Sequence, residues 1–222
     1  MPTDRAATDR IVWIDCEMTG LDLAADALIE IAVQVTDFYL EPVGPGLDIV
    51  IRPPAQALAQ MGEFVRAMHT DSGLLDELDD GIPLAEAEEQ VMEHLRQFAP
   101  EPGKWPLAGN TIGTDRAFLV RDMPQVTRQL HYRVIDVSSI KELSRRWYPR
   151  SYFAAPTKHG GHRALADITE SIAELRYYRE AVFVPPPGPD TNSARALAQQ
   201  FGVPASATER DGGQEHSGGQ VR

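Results

Sequence analysis

Four carboxylates and one histidine have the residue types and spacing to do chemistry: Asp15 and Glu17, Asp115, then His162 and Asp167. Asp15 and Glu17 close an apolar run, Ile11-Val12-Trp13-Ile14, that reads as a buried strand. One intervening residue puts both side chains on the same strand face. Two anions crowded at the end of a buried strand repel each other and are costly to desolvate. A hard divalent cation relieves both problems, and Mg²⁺ or Mn²⁺ takes carboxylate oxygens. Cys16 alternates with them, so it should face away from any cation as a small buried residue.

Each acid also has an ordinary reading. Asp15 and Glu17 could form a polar strand end, and Asp115 could be a first-turn acid favoured by the helix dipole. Asp167 could be a solvated helix residue and His162 a loop residue without a role. Their coincidence in one chain, in order, argues for a site.

The elements that must position these residues follow from periodicity and turn chemistry. Residues 11–16 read as a first strand, and Leu28–Phe38 and Leu47–Arg52 as the next two. The turn-rich Glu41-Pro42-Val43-Gly44-Pro45-Gly46 between the latter suggests a meander. Helices are expected at Gln56–Met68 and Pro83–Phe98, the second with apolar spacing at Leu84, Ala87, Val91 and Leu95. A short strand at Trp105–Ala108 leads into the loop Gly109-Asn110-Thr111-Ile112-Gly113, and a helix starts near Thr114 and Asp115. Arg133–Val137 reads as a fifth strand, Ser139 and Glu142 as a capping box, and Ala164–Ala181 as the last helix. Three antiparallel strands followed by strand–helix alternation imply an α/β fold with a mixed sheet flanked by helices. Residues 1–9 read as a disordered leader and 10–184 as the folded domain. Residues 185–222 read as a mostly disordered Pro/Gly-rich tail with a short helix around Ala194–Gln200.

Bulk properties narrow the class. A chain of 222 residues suffices for one α/β domain with a complete core. No apolar stretch approaches the roughly 18 residues of a membrane helix, and the N-terminus lacks a signal-peptide pattern. Cys16 is the only cysteine, which makes a reducing, cytoplasmic home the default. The net charge of −12 is uneven. Residues 1–127 carry 8 Lys/Arg against 23 Asp/Glu, whereas 128–163 carry 8 against 2. One basic segment on an acidic body suits a small anionic ligand better than long duplex DNA, which needs many phosphate contacts.

The segments Asp15-Cys16-Glu17-Met18-Thr19-Gly20-Leu21, Gly109 to Arg116, His131 to Ser138 and His162 to Ile168 occur in order. Together they resemble the motifs of the DEDDh 3′–5′ exonucleases of ribonuclease H-like fold, over about Arg10 to Phe183. The resemblance implies a five-stranded mixed sheet and phosphodiester hydrolysis with two Mg²⁺ or Mn²⁺ ions about 3.5–4 Å apart. It implies that Asp15 bridges both ions. Glu17 and Asp167 complete the site of the attacking water, and Asp115 holds the ion beside the departing 3′-oxygen. His162 is the implied general base, since an imidazole can accept a proton at neutral pH. Gly160 and Gly161 would let its loop close over substrate.

The similarity is greater still to the members of that family that select very short RNA. It implies a substrate pocket from Met18, Thr19, Leu21, Phe64 and His69, with Leu21 wedged between two bases. Thr111, Arg133 and Ser138 match a cap on the 5′-phosphate, with Tyr132 reaching in from the partner of a homodimer. Such a cap blocks longer chains and rewards a terminal phosphate with charge-assisted hydrogen bonds. Thr111 stands where serine is common and Phe64 where tryptophan is common. The expected substrates are short oligoribonucleotides, chiefly dinucleotides, released as 5′-mononucleotides, with no membrane partner. Two alternatives remain open at this point. One is a DEDDh exonuclease for longer RNA or DNA ends, of the proofreading or tRNA-trimming type. The other is a nuclease-derived binding module without catalysis.

Overall fold

The computed structural model describes residues 5–158 and 161–202. The expectations for residues 1–4, Gly160 and 203–222 lie outside the described residues. The strands are β1 (Ile11–Met18), β2 (Leu28–Thr36), β3 (Leu47–Val50), β4 (Leu107–Gly109) and β5 (Val134–Asp136). The helices are α1 (Arg5–Thr8), α2 (Ala55–Ala59), α3 (Glu63–Asp71), α4 (Leu74–Glu77), α5 (Leu84–Phe98), α6 (Gly113–Asp122), α7 (Pro124–Gln129), α8 (Val137–Trp147), α9 (Pro149–Phe153), α10 (Ala164–Ala181) and α11 (Thr191–Phe201). The chain divides after Phe183 into two units. In the second, α11 is capped by Asp190, whose carboxylate accepts from the amides of Asn192 and Ser193. Among the described residues no helix is long and apolar enough to cross a membrane.

The first unit is built on a five-stranded sheet of order β3-β2-β1-β4-β5. The β1–β2 and β2–β3 pairs are antiparallel, and β1–β4 and β4–β5 are parallel. The mixed sheet flanked by helices is therefore the fold expected from the element order. β1 lies at its centre, and its alternation decides where everything else sits. Val12, Ile14, Cys16 and Met18 face one layer, packing with Val91 and Leu95 of α5, Phe118 and Leu119 of α6, and Val126 of α7. Ile11 and Trp13 face the other, against Ile168, Ile172, Leu175 and Tyr178 of α10 and Val137 of α8. Fully burying each large side chain contributes about 1.5–3 kcal/mol. The Trp13 indole N–H, which cannot go unpaired there, donates to Thr36 Oγ1 at 2.9 Å. By the same alternation Asp15 and Glu17 fall on the α10 side, and Cys16 on the opposite one.

Two local expectations are corrected. The helix read at Gln56–Met68 is two helices, α2 and α3, turned at Gln60-Met61-Gly62. Gly62 has extended backbone (φ −63°, ψ 152°), and Met61 is drawn into a cluster with Ile29, Leu74 and Leu78. A poor helix former next to a side chain that must be buried favours the break. The second correction concerns α8. Its cap is Asp136, which accepts from Ser138 N at 2.9 Å, and not Ser139. The helix begins at Val137, so Ser139 is already inside it. At the N-terminus, residues 5–8 form the short α1, whose Ala6 carbonyl accepts from Phe38 N at 2.8 Å.

Candidate active site

The carboxylates converge because three elements end at one point. β1 supplies Asp15 and Glu17, the first turn of α6 supplies Asp115, and the first turn of α10 supplies Asp167. The β1–β2 register shifts between Glu17 and Met18, a bulge that breaks the regular pairing beside the acids. Asp115 is buried, and its Oδ1 accepts from the Cys16 amide at 3.0 Å. The backbone of β1 thus fixes the α6 carboxylate between its own two acids. Ligand atoms of Glu17, His162 and Asp167 all lie within 4.8 Å of one another, a possible metal-binding group.

Burial and mutual repulsion show in the protonation behaviour. Burial, then Asp115 and Glu17, push the Asp15 carboxyl up to about 9. Burial, then Asp167 and Glu30, push Glu17 up to about 8, against the opposing pull of Arg163. Burial raises Asp115 to about 6, although its own amide and that of Cys16 hydrogen-bond its charged form. Asp167 is also raised, by burial and then Glu170. Carboxylates crowded in this way need a cation to ionise together at neutral pH. A set of oxygen donors with an adjacent imidazole fits a hard divalent ion.

A cleft of about 470 Å³ opens over the acids. Asp15, Glu17, Asp115, His162 and Asp167 all line it, together with Met18, Leu21, Phe64 and Thr111. Leu21 and Phe64 stand 75% and 82% exposed, which leaves apolar surface at the mouth for a flat ligand to cover. The Leu21 loop is stiff. Thr19 Oγ1 donates to Asp26 Oδ1 at 2.9 Å, Asp22 N donates to Asp26 Oδ2 at 2.9 Å, and Gln60 and Arg121 donate to the loop carbonyls of Ala25 and Asp26. A Cβ on Gly20 would come within 2.4 Å of the Asp26 carboxylate, so a larger residue would have to displace the group that ties this loop together. A larger groove of about 730 Å³ runs under this loop beside Pro53 and Pro54, but it holds none of the clustered acids.

Thr111 and His162 have positive φ, 55° and 47°. Such backbone costs a non-glycine residue roughly 1–3 kcal/mol and persists only where neighbours enforce it. Thr111 N donates to Asp136 Oδ1 at 3.1 Å and to Ser138 Oγ at 3.0 Å, and its hydroxyl lies 3.1 Å from Ser138 Oγ. Ser138 in turn donates to Asn110 Oδ1 at 3.0 Å, and Asn110 donates to Ser171 Oγ at 2.7 Å. Thr111 and Ser138 are thus brought together at the edge of the cleft.

Other residues singled out in the sequence lie elsewhere. Thr19 is buried, with its hydroxyl occupied inside the loop. His69 is fully buried and does not line the cleft; its Nε2 donates to the Met18 carbonyl at 2.9 Å, and burial lowers its pKa. It secures the end of β1 from behind. Tyr132 is 67% exposed and stacks under the Arg133 guanidinium, 5.3 Å from the ring centre; neither lines the cleft of the single chain. Sequence reasoning missed Val65 and Met68 in the lining, Asp136 as the anchor of Thr111, and Glu30 and Arg163 behind the acids. The one signal for Glu30 was a carboxylate inside the apolar run Leu28–Val33, where acids are rarely buried without a partner.

The mixed sheet and the acids gathered at the end of its central strand are those of a ribonuclease H-like fold. The Exonuclease family model matches residues 12–175, and the chain spans about 41% of the length of solved exonuclease I structures with the same fold. Exonuclease I from Methylocaldum szegediense superposes with a TM-score of 0.59 at 20% identity over 78% of this chain. The E. coli enzyme in complex with single-stranded DNA gives 0.61 at 13% identity over 78% of this chain and 40% of its own. Closer in sequence is the oligoribonuclease of Streptomyces coelicolor, 66% identical over 89% of this chain and 98% of its own. Those of Leifsonia xyli (62% identical; 86% and 93% covered) and Mycobacterium avium (59%; 86% and 89%) follow the same pattern. The chain belongs to the oligoribonuclease family of 3′–5′ exoribonucleases, nucleases that hydrolyse phosphodiester bonds.

Proposed function

We propose that this protein degrades short oligoribonucleotides, above all dinucleotides, to 5′-mononucleotides. The observation that carries the reading is the joint lining of one cleft by the four acids, His162, the exposed Leu21 and Phe64, and Thr111. Asp15, Glu17, Asp115 and Asp167 would hold two Mg²⁺ or Mn²⁺ ions. Bound there, such ions neutralise charge at phosphorus and make a bound water acidic. His162 accepts the proton of the attacking water as its oxygen bonds to phosphorus and the bond to the 3′-oxygen breaks. Leu21 and Phe64 sandwich the bases, which sets the reacting phosphate over the acids.

Thr111 and Ser138 offer hydroxyls to the 5′-phosphate, and Arg133 adds charge. Because Tyr132 and Arg133 stand outside the cleft of one chain, the reading includes a homodimer in which the partner subunit's Tyr132 closes the cap. A dinucleotide between wedge and cap leaves no room for a third residue. That accounts for an acidic protein acting on RNA without a broad basic surface. A cytoplasmic location suits this role.

The test is initial rate against 5′-phosphorylated RNA of two to seven nucleotides, with Mn²⁺ and with chelator. A sharp maximum at two nucleotides, abolished by chelator, is the expected result. A flat or rising profile would discard the dinucleotide reading, and sedimentation as a monomer would discard the shared cap.

A further inference from the structure

Glu30 and Arg163 join the two halves of the acid cluster, although neither lines the cleft. Glu30 is fully buried on β2 and is the cross-strand partner of Glu17 on β1. One of its oxygens accepts from Arg163 Nε at 2.7 Å and the other from the Ala164 amide at 2.9 Å. Arg163 follows His162 directly, and Ala164 is the first residue of the helix whose first turn carries Asp167. The other arm of the guanidinium reaches Glu77 Oε1 and Oε2 at 2.8 and 3.0 Å. One carboxylate therefore ties the strand pair bearing Glu17 to the residue beside His162 and to the start of α10.

Stability alone does not account for this pair. With Glu30 fully buried and Arg163 29% exposed, desolvation of the carboxylate offsets much of the attraction, so the pair contributes little net stability compared with apolar residues of the same volume. What a planar guanidinium gripped on two sides supplies is direction. Direction is what this corner needs. His162 has left-handed backbone, φ 47°, and its ring must stay within 4.8 Å of the Glu17 and Asp167 oxygens. The first turn of α10 must start at a fixed height above β1, and the Glu30–Ala164 hydrogen bond sets that height.

We propose that Glu30 and Arg163 are positioning residues that set His162 and Asp167 against Glu17, and so govern turnover rather than substrate binding. The proposal rests on the reading of His162 as the base. Both residues sit behind the acids, whereas the base-stacking and cap residues lie at the mouth. Loosening the pair moves the proton acceptor relative to the reacting phosphate and leaves the grip on the dinucleotide in place. A displacement of about 1 Å at a reacting group can cost on the order of a hundredfold in rate.

The experiment is steady-state kinetics on a 5′-phosphorylated dinucleotide at saturating Mn²⁺ for Glu30→Gln, Arg163→Ala, Arg163→Lys and His162→Ala, with a thermal melt of each. The expected result for Glu30→Gln and Arg163→Ala is a fall in kcat of at least about tenfold with KM within about threefold. Arg163→Lys falls between wild type and Arg163→Ala, since one ammonium cannot hold Glu30 and Glu77 in the same fork. Guanidinium ion at tens of millimolar should restore part of the kcat of Arg163→Ala and none of that of His162→Ala. If Arg163→Ala fails to fold, Glu30→Gln decides, because its amide oxygen still accepts from Ala164. Folded variants with kcat within twofold of wild type would overturn the proposal, as would a loss seen entirely in KM. Full activity of His162→Ala would instead remove the general-base reading.

Discussion

The Cys16 amide donates to Asp115 Oδ1 at 3.0 Å, so the acid from α6 is held by the strand segment that separates Asp15 from Glu17. The bond orients the carboxylate without neutralising it. Asparagine at 115 keeps an oxygen that can accept this hydrogen bond but removes the charge. Asp115→Asn should therefore melt close to or above the wild type in the absence of metal, yet lose at least about a hundredfold in kcat/KM. Asp115→Ala should lose the activity and some stability as well, since the Cys16 amide is then buried without a partner. Equal activity of Asp115→Asn and wild type on dinucleotide would remove Asp115 from the metal set.

Asp15 and Glu17, with pKa values near 9 and 8, hold protons at neutral pH when no cation is present. Cation binding must then expel protons. Calorimetric titration with Mn²⁺ at pH 7 in two buffers of different ionisation heat should give different apparent enthalpies, and apparent affinity should rise from pH 6 to 9. Buffer-independent heats would contradict the raised carboxyls. The sign for stability is fixed by the same shift. The folded-state pKa of Asp15 is raised from 3.8 to about 9. Its contribution to metal-free stability is therefore fully present below about pH 4 and is lost as pH rises towards 9. Asp15→Asn should gain in melting temperature relative to wild type across that window, and saturating Mn²⁺ should reverse the order.

Much of this site was legible because it depends on local pattern. The apolar run ahead of Asp15 and Glu17 announced a buried first strand; the structure puts it at the centre of the sheet and runs it through both acids to Met18, since Cys16 and Met18 continue the buried face. The last helix was readable at roughly Ala164–Ala181, where the structure places it, because nothing in that stretch breaks a helix. What local pattern could not supply was partnership across the fold. Arg163 and Glu30 lie 133 positions apart, and nothing near either one names the other. Asp136 looked like the end of a strand but serves as cap for α8 and anchor for Thr111, so the hydroxyl-rich Ser138-Ser139 drew the capping assignment one turn too late. The break at Gly62 follows from the burial of Met61, a tertiary demand that overrides helical spacing.

Leu21 and Phe64 present exposed apolar surface at the cleft mouth, away from the clustered acids' hydrogen bonds, so substitutions there should act mainly on binding. Leu21→Ala should raise KM for a dinucleotide by about tenfold, the effect of losing on the order of 1.4 kcal/mol of contact, with kcat changed less. Phe64→Trp enlarges the stacking face and should lower KM, by up to about fivefold if it gains a further 1 kcal/mol. Titration with dinucleotide of each substitution placed in the slowed Asp115→Asn background separates the two effects from turnover. Unchanged binding in Leu21→Ala would show that the wedge does not touch the bases.

Thr111 combines a strained backbone with a hydroxyl at the cleft edge, and two substitutions separate the contributions. Its φ of 55° suits glycine and penalises a β-branched residue. Thr111→Ala loses the hydroxyl and keeps a Cβ in the unfavourable region. Thr111→Gly loses the same hydroxyl but relieves the strain, so it should be more stable than Thr111→Ala by about 1 kcal/mol. Thr111→Ser keeps the contact with Ser138 and should stay near wild type in both stability and rate. If the hydroxyl serves a 5′-phosphate cap, Thr111→Ala and Thr111→Gly should both lower the preference for 5′-phosphorylated over 5′-hydroxyl dinucleotide, by about five- to tenfold. The ratio of kcat/KM for the two substrates measures this directly, independent of how much active enzyme each preparation contains. A preference that survives both substitutions would place the phosphate elsewhere, and a Thr111→Gly no more stable than Thr111→Ala would mean that the loop relaxes without strain.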